Sequence, residues 1–244
     1  MSGSAMHRRG PRAIVALVLA SVLFGARADL WRRVAESHVQ FARALAADGV
    51  RLNSEFLDWV DKIVGYDCTM SAPKAGDLDA DQSGRIALYV DLFCKPWTKA
   101  WDKAIGACDR ERPPDWCGDD QVVMERMGLE SYLATLTSSL GGSDDATLRY
   151  NIMRIIVGTA TPHTITEFPR GRVDEWMARA AAEFLRTAAP DDAIEIARLL
   201  KDTWVGLGPA VAREFSAYAQ KSPALTDGQR RTLSDLIARR YKDP

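Results

Sequence analysis

From Leu30 to Leu45 the apolar positions Leu30, Trp31, Val34, Phe41, Ala42 and Leu45, joined by His38, recur every three or four residues. That is the period of an amphipathic helix. Phe56, Trp59, Val60, Ile63 and Val64 repeat it behind a cap at Asn53 or Ser54 and stop at Gly65, so two helices are expected to fold back as a hairpin around Gly49. Residues 66–84 lose the period and gather Gly, Pro, Ser and Asp, as a long loop does. Ile86, Leu88, Val90 and Leu92 then alternate with Arg85, Ala87, Tyr89 and Asp91, a period of two that predicts a short strand; a helix that overrides the alternation is the competing reading. Pro96 is expected to open a helix reaching Ala107, with Trp97, Trp101 and Ile105 on one face.

The rest of the chain shows helical periods only. Val122–Leu140 carries Val123, Met127, Leu133, Leu136 and Leu140, and Gly141 and Gly142 end it. A helix starting at Ser143 or Asp144 places Leu148, Ile152, Ile155 and Ile156 together, and a loop with Pro162 and Pro169 follows. Val173–Ala188 has Val173, Trp176, Met177, Ala180 and Phe184 on its core face, and Pro190 breaks it. Asp191–Val205, Pro209–Lys221 and Thr226–Tyr241 complete the series, the last with a Thr226/Gln229 capping box. The predicted fold is all-α, a bundle-like array of eight or nine helices, with a disulfide-braced N-terminal half holding one short strand or hairpin.

The N-terminus changes where this fold is expected to reside. Ala13–Ala26 is an apolar run of 14 residues behind His7, Arg8, Arg9 and Arg12, followed by the small-x-small sequence Ala26-Arg27-Ala28. This predicts a secretory signal peptide over residues 1–28, since about 20 apolar residues are needed to span a bilayer. Cleavage after Ala28 removes four arginines and leaves 28 basic against 33 acidic residues, a net charge of −5. Such a surface excludes the basic patch of nonspecific nucleic-acid binders, and no later segment has the length of a membrane span. A soluble periplasmic or secreted protein is expected, organised as residues 29–118, disulfide-braced, and residues 119–244, helical, in one domain or two with the seam at Asp109–Asp120.

All four cysteines, Cys68, Cys94, Cys108 and Cys117, lie within 50 residues. In an exported chain an even number at spacings too wide for a metal site predicts two disulfides. A 12-residue helix between Cys94 and Cys108 would be roughly 18 Å long, which excludes that pair. Cys68 with Cys94 and Cys108 with Cys117 is preferred; Cys68 with Cys108 and Cys94 with Cys117 stays open.

Candidate chemistry is sparse. Asp79-Ala-Asp81-Gln-Ser83-Gly84-Arg85-Ile86 resembles the first eight positions of an EF-hand calcium loop: Asp79, Asp81 and Ser83 offer side-chain oxygens, the Arg85 carbonyl stands at position seven, and Gly84 permits the turn. Position twelve, where that family places a bidentate Glu, is Val90, and Asp91 comes one residue late. The resemblance implies weak calcium binding at most; an acidic solvated turn ahead of the strand is the preferred reading. His38 lies on an apolar stripe, as a hydrogen-bonded core imidazole does. His163 stands among Thr161, Thr164, Thr166 and Glu167 in a loop. Asp58 with Asp61 and Glu125 with Glu130 are carboxylate pairs at helical spacing. Arg172, Arg179 and Arg186 form a heptad stripe that suggests an anion-binding row, but Glu175 and Glu183, four residues either side of Arg179, stand at the spacing of ordinary surface ion pairs, so a solvated face is expected. No cofactor motif appears. The sequence therefore supports an exported, non-enzymatic module that binds another extracytoplasmic protein. Its alternatives are an extracytoplasmic hydrolase using carboxylates or His163, and a calcium-responsive module built on residues 79–91.

Overall fold

The computed structural model describes residues 11–64, 78–100, 128–159, 170–202 and 207–238. Among them are nine α-helices and one π-helical turn, and no strand. Helix α1 spans Pro11–Ala47, α2 Ser54–Val64 and α3 Ala80–Tyr89, which continues into a π-turn at Val90–Cys94. The C-terminal series is α4 (Leu129–Gly141), α5 (Ala146–Thr159), α6 (Arg170–Leu185), α7 (Pro190–Asp202), α8 (Pro209–Lys221) and α9 (Asp227–Ala238). No helix among the described residues is long and apolar enough to cross a membrane. The Asp109–Asp120 seam and the Thr159–Gly171 loop beyond Thr159 fall largely or wholly outside the described residues.

Local signals explain the hairpin. Gly49 takes φ 68° behind α1, while Gly49 N–H donates to Ala46 at 2.9 Å and Val50 N–H to Leu45 at 2.8 Å. These two bonds satisfy the last carbonyls of the helix and turn the chain. Asn53 then caps α2, its Oδ1 accepting from Phe56 N–H at 2.9 Å. Further on, Asp145 caps α5 by accepting from Leu148 N–H at 2.9 Å. Pro190 opens α7 rather than only ending the helix before it, because the first turn of a helix has no use for the missing N–H. The Thr226/Gln229 box closes as its spacing predicts, at 3.0 and 3.2 Å.

Two expectations are corrected between residues 80 and 100. The predicted strand is helical, and Pro96 does not open a helix but lies within a helical run that continues through residue 100. The buried or half-buried residues Ile86, Tyr89, Val90, Phe93, Cys94 and Trp97 make a stripe of period 3.6, to which the alternation of Ile86, Leu88, Val90 and Leu92 is incidental. Pro96 explains the widened turn. Its ring would strike the carbonyl four residues back, that of Leu92, and it has no N–H to offer it. The backbone instead opens to an i→i+5 bond, Lys95 N–H to Val90 O. The Leu92 and Phe93 carbonyls turn to α1, where Ser37 Oγ donates to the first at 2.9 Å and His38 Nε2 to the second at 3.0 Å.

Helix α1 packs along α4, α5 and the π-turn; α4, α5 and α6 pack on one another; α8 lies on α6 and α9, and α7 on α5 and α9. Residues 148–157 of α5 are all buried, so this helix runs through the centre, as an element covered on every side must. Buried side chains from Trp31 to Ile237 form one hydrophobic cluster spanning both predicted halves. Helix α8 is tied in by Asp174 of α6, 7 % exposed, which accepts from Ala210 N–H at 2.7 Å and Val211 N–H at 3.1 Å. Gly208 stands against that carboxylate, and a Cβ there would come within 2.3 Å of Asp174 Oδ1. The α8 cap therefore needs glycine.

Candidate functional site

Three buried polar groups hold the helices that frame the site. On α5, Arg149 is 2 % exposed. Its guanidinium donates to the carbonyls of Leu140, Ser143 at 2.9 Å, Glu183, and Phe184 at 3.2 Å. These carbonyls lie at the C-terminal ends of α4 and α6, where helix dipoles leave partial negative charge. Burial, and then the nearby Arg186, push the Arg149 pKa down from its ordinary value, but a guanidinium stays charged at neutral pH. Asn151 accepts from Leu52 N–H at 2.7 Å and donates to Val50 O at 3.0 Å and Ala42 O at 3.3 Å, fixing the α1–α2 hairpin. His38 is fully buried, accepting at Nδ1 from the Tyr132 hydroxyl at 2.7 Å and stacking on Phe93 at 4.0 Å. Because Nε2 faces a carbonyl, which only accepts, a proton sits on Nε2, and burial keeps the ring neutral. Burial lowers its pKa to about 3. This is the core imidazole expected from the apolar stripe.

Helices α4 and α6 run parallel. The ion pair of Glu130 with Arg172, 2.8 Å, marks their N-terminal ends, and the Arg186 to Gly141 carbonyl bond, 2.8 Å, marks their C-terminal ends. Between them lies a groove of about 590 Å³. Helix α4 contributes Glu130, Leu133, Ala134, Thr137, Ser138 and Gly141, while α6 contributes Trp176, Arg179, Glu183 and Arg186. Small residues recur on α4 at Ala134, Thr137 and Ser138, one helical turn apart, and leave unfilled the space that larger side chains would occupy, while the Glu183 carboxylate fills the space beside Gly141.

The heptad arginines line this groove, but not with the pairing expected from spacing alone. Arg172 stacks over Trp176, 5.2 Å from the ring centroid, besides its pair with Glu130. Glu183 turns to Arg186, at 3.8 Å, rather than to Arg179. Arg179 is exposed and makes no hydrogen bond or ion pair with a described residue. The outer cations are thus engaged and the central one is not.

The other sequence candidates are placed elsewhere. Asp79 stands at the N-cap of α3: its Oδ1 accepts from Gln82 N–H at 2.8 Å, and Asp79 N–H donates to Gln82 Oε1 at 3.1 Å. Asp81 pairs with Arg85 at 2.7 Å, Ser83 is exposed in the first turn, and the Arg85 carbonyl lies within the helical ladder. The expected loop at 79–91 is therefore helix, and among the described residues no group of three or more His, Cys, Asp or Glu is arranged to hold a metal ion. Asp79→Ala should cost about 0.5–2 kcal/mol by loss of the cap, to the same extent with and without millimolar calcium in thermal denaturation. A cost that appears only with calcium would restore the metal reading.

Asp58 and Asp61 are exposed on α2. Glu125 and His163 lie outside the described residues, as do Cys68, Cys108 and Cys117. Cys94 is buried and is not a free thiol. Sequence reasoning missed Tyr132, Arg149, Asn151 and Asp174. Arg149 and Asn151 carried one usable signal, strongly polar side chains inside a helix that is apolar on all faces. Against protein-family models, curated proteins and solved structures, the chain matches nothing.

Proposed function

We propose that this is an exported, non-enzymatic binding protein that holds another extracytoplasmic protein in the groove between α4 and α6. The observation that carries the reading is the groove itself: two parallel helices rigidly joined at their ends by Arg149, with Trp176 in the wall and the charge of Arg179 left unneutralised. Partner sites are characteristically preformed depressions with a few convergent polar groups, and arginine is enriched among the residues that carry binding.

Export is proposed on the apolar run Ala13–Ala26 and the Ala26-Arg27-Ala28 sequence. Helix α1 continues through this point. Cleavage after Ala28 would leave Asp29 at the new start of the helix, where a carboxylate suits the positive end of the dipole. The described buried residues begin at Trp31, so the mature chain keeps them all. Two disulfides among Cys68, Cys94, Cys108 and Cys117, preferably Cys68 to Cys94 and Cys108 to Cys117, are part of the same proposal, supported by the absence of a free thiol at Cys94.

The test compares the mature chain from Asp29 with its Ser138→Trp variant, which fills the groove from an exposed position. Both are immobilised and offered the extracytoplasmic fraction of the native host. At least one protein should be retained by the natural chain and lost with the variant. Identical retained sets would remove the groove from the function.

A further inference from the structure

Resting on that reading, we infer that the groove selects an acidic helical segment of its partner and that Arg179 determines this specificity. Charge is the first ground. The mature chain carries a net −5, yet three arginines and two glutamates line or edge this groove, a local excess of positive charge. The two outer arginines are already committed, Arg172 to Glu130 and Arg186 to the Gly141 carbonyl and Glu183. Only Arg179 presents a guanidinium to an incoming group, about 10 Å along the helix from each neighbour in the stripe. A fork of N–H donors without an internal acceptor recognises a carboxylate in bidentate fashion.

Shape is the second ground. Across from Arg179, α4 shows Ala134, Thr137 and Ser138, side chains short enough for another backbone to approach closely. The Thr137 and Ser138 hydroxyls make no hydrogen bond to a described residue, so they add donors beside the guanidinium. Leu133 and Trp176, 3 % and 7 % exposed, form an apolar floor one turn away. Two parallel helices of 13 and 16 residues offer a trough about as long as three or four turns of a third helix. An amphipathic helix with Asp or Glu at its centre and an apolar residue a turn before it fits both features.

A random 16-residue peptide library displayed on phage supplies the probe, selected on immobilised mature protein in the presence of excess soluble Ser138→Trp variant. Peptides taken up by the natural chain should be enriched severalfold in Asp or Glu at one central register. With Arg179→Glu, an exposed change that leaves the fold in place, selection should switch to Lys or Arg at that register, and Arg179→Lys should restore acidic peptides with weaker binding. Peptides that bind the natural chain and the Arg179→Glu variant alike, within twofold, would overturn the inference while leaving the groove reading standing. If no peptide survives the competition with the soluble Ser138→Trp variant, the groove reading is overturned as well. Competition by millimolar phosphate or free glutamate that displaces every selected peptide, with no preferred register, would show a small-anion site and overturn the helical occupant.

Discussion

Replacing Arg149 by leucine is expected to destabilise the protein by about 3–5 kcal/mol, the range found when one partner of a buried charged interaction is removed. The loss has a definite origin. Four carbonyls, those of Leu140, Ser143, Glu183 and Phe184, share this one guanidinium, and no other donor replaces it where the helix ends are buried. Arg149→Lys should recover only part of the loss, because an ammonium is a point donor and does not bridge two helix ends at once. Urea denaturation of the three proteins decides the matter. A cost below 1 kcal/mol for leucine would mean that α4 and α6 are held by packing alone, and the rigid frame of the groove would lose its stated cause.

Acid should weaken the fold earlier than carboxylate protonation alone would. His38 is neutral in the folded protein with its pKa lowered to about 3 by burial, whereas in the unfolded chain it titrates near 6.5. Protonation thus favours the unfolded chain. Stability from this residue is complete above pH 6.5 and declines by about 1.4 kcal/mol per pH unit down to pH 3, roughly 4–5 kcal/mol over the window. The Tyr132 to Nδ1 bond would have to reverse, the protonated Nδ1 donating to the tyrosine oxygen. His38→Gln removes the titration, so the stability difference between natural chain and variant should shrink by about 2 kcal/mol between pH 6.5 and 5. A difference independent of pH over that range would show that His38 is protonated, or solvated, in the folded state.

Much of the helical scaffold was legible in the sequence, because it depends on periods and caps that neighbours in the chain determine. Gly49, Asn53 and the Thr226/Gln229 box act within four residues of themselves, and each stands where the spacing places it. The segment 79–94 misled for a physical reason. Asp79, Asp81, Ser83 and Gly84 satisfy a calcium-loop pattern and a helix start equally well, and Gln82, three residues after Asp79, is the residue that decides for the cap. The alternation at 86–92 was a coincidence of small numbers, and Tyr89 and Phe93, which complete the helical stripe, stack on each other at 5.0 Å.

The buried polar frame was less legible. Arg149 and Asn151 find backbone partners 34 or more residues away for the Glu183, Phe184, Leu52, Val50 and Ala42 bonds, and a backbone acceptor leaves no mark on the sequence. The arginine heptad was visible and its groove was not. Spacing alone gave Arg179 two glutamate neighbours, but packing turned Glu183 to Arg186 and set Arg179 against the small residues of α4. Which charge remains available depends on contacts between helices, not on distance along one.

Site-specific photo-crosslinking in the native host tests the central claim most directly. A photoreactive phenylalanine analogue is placed at exposed Glu130, on the rim of the groove rather than in its floor, and separately at exposed Lys221, at the end of α8. The account predicts a discrete adduct with another extracytoplasmic protein from position 130, absent from position 221 and lost when Arg179→Glu or Ser138→Trp is added. Equal adducts from both positions, or none from position 130 while the protein is exported and folded, would contradict it.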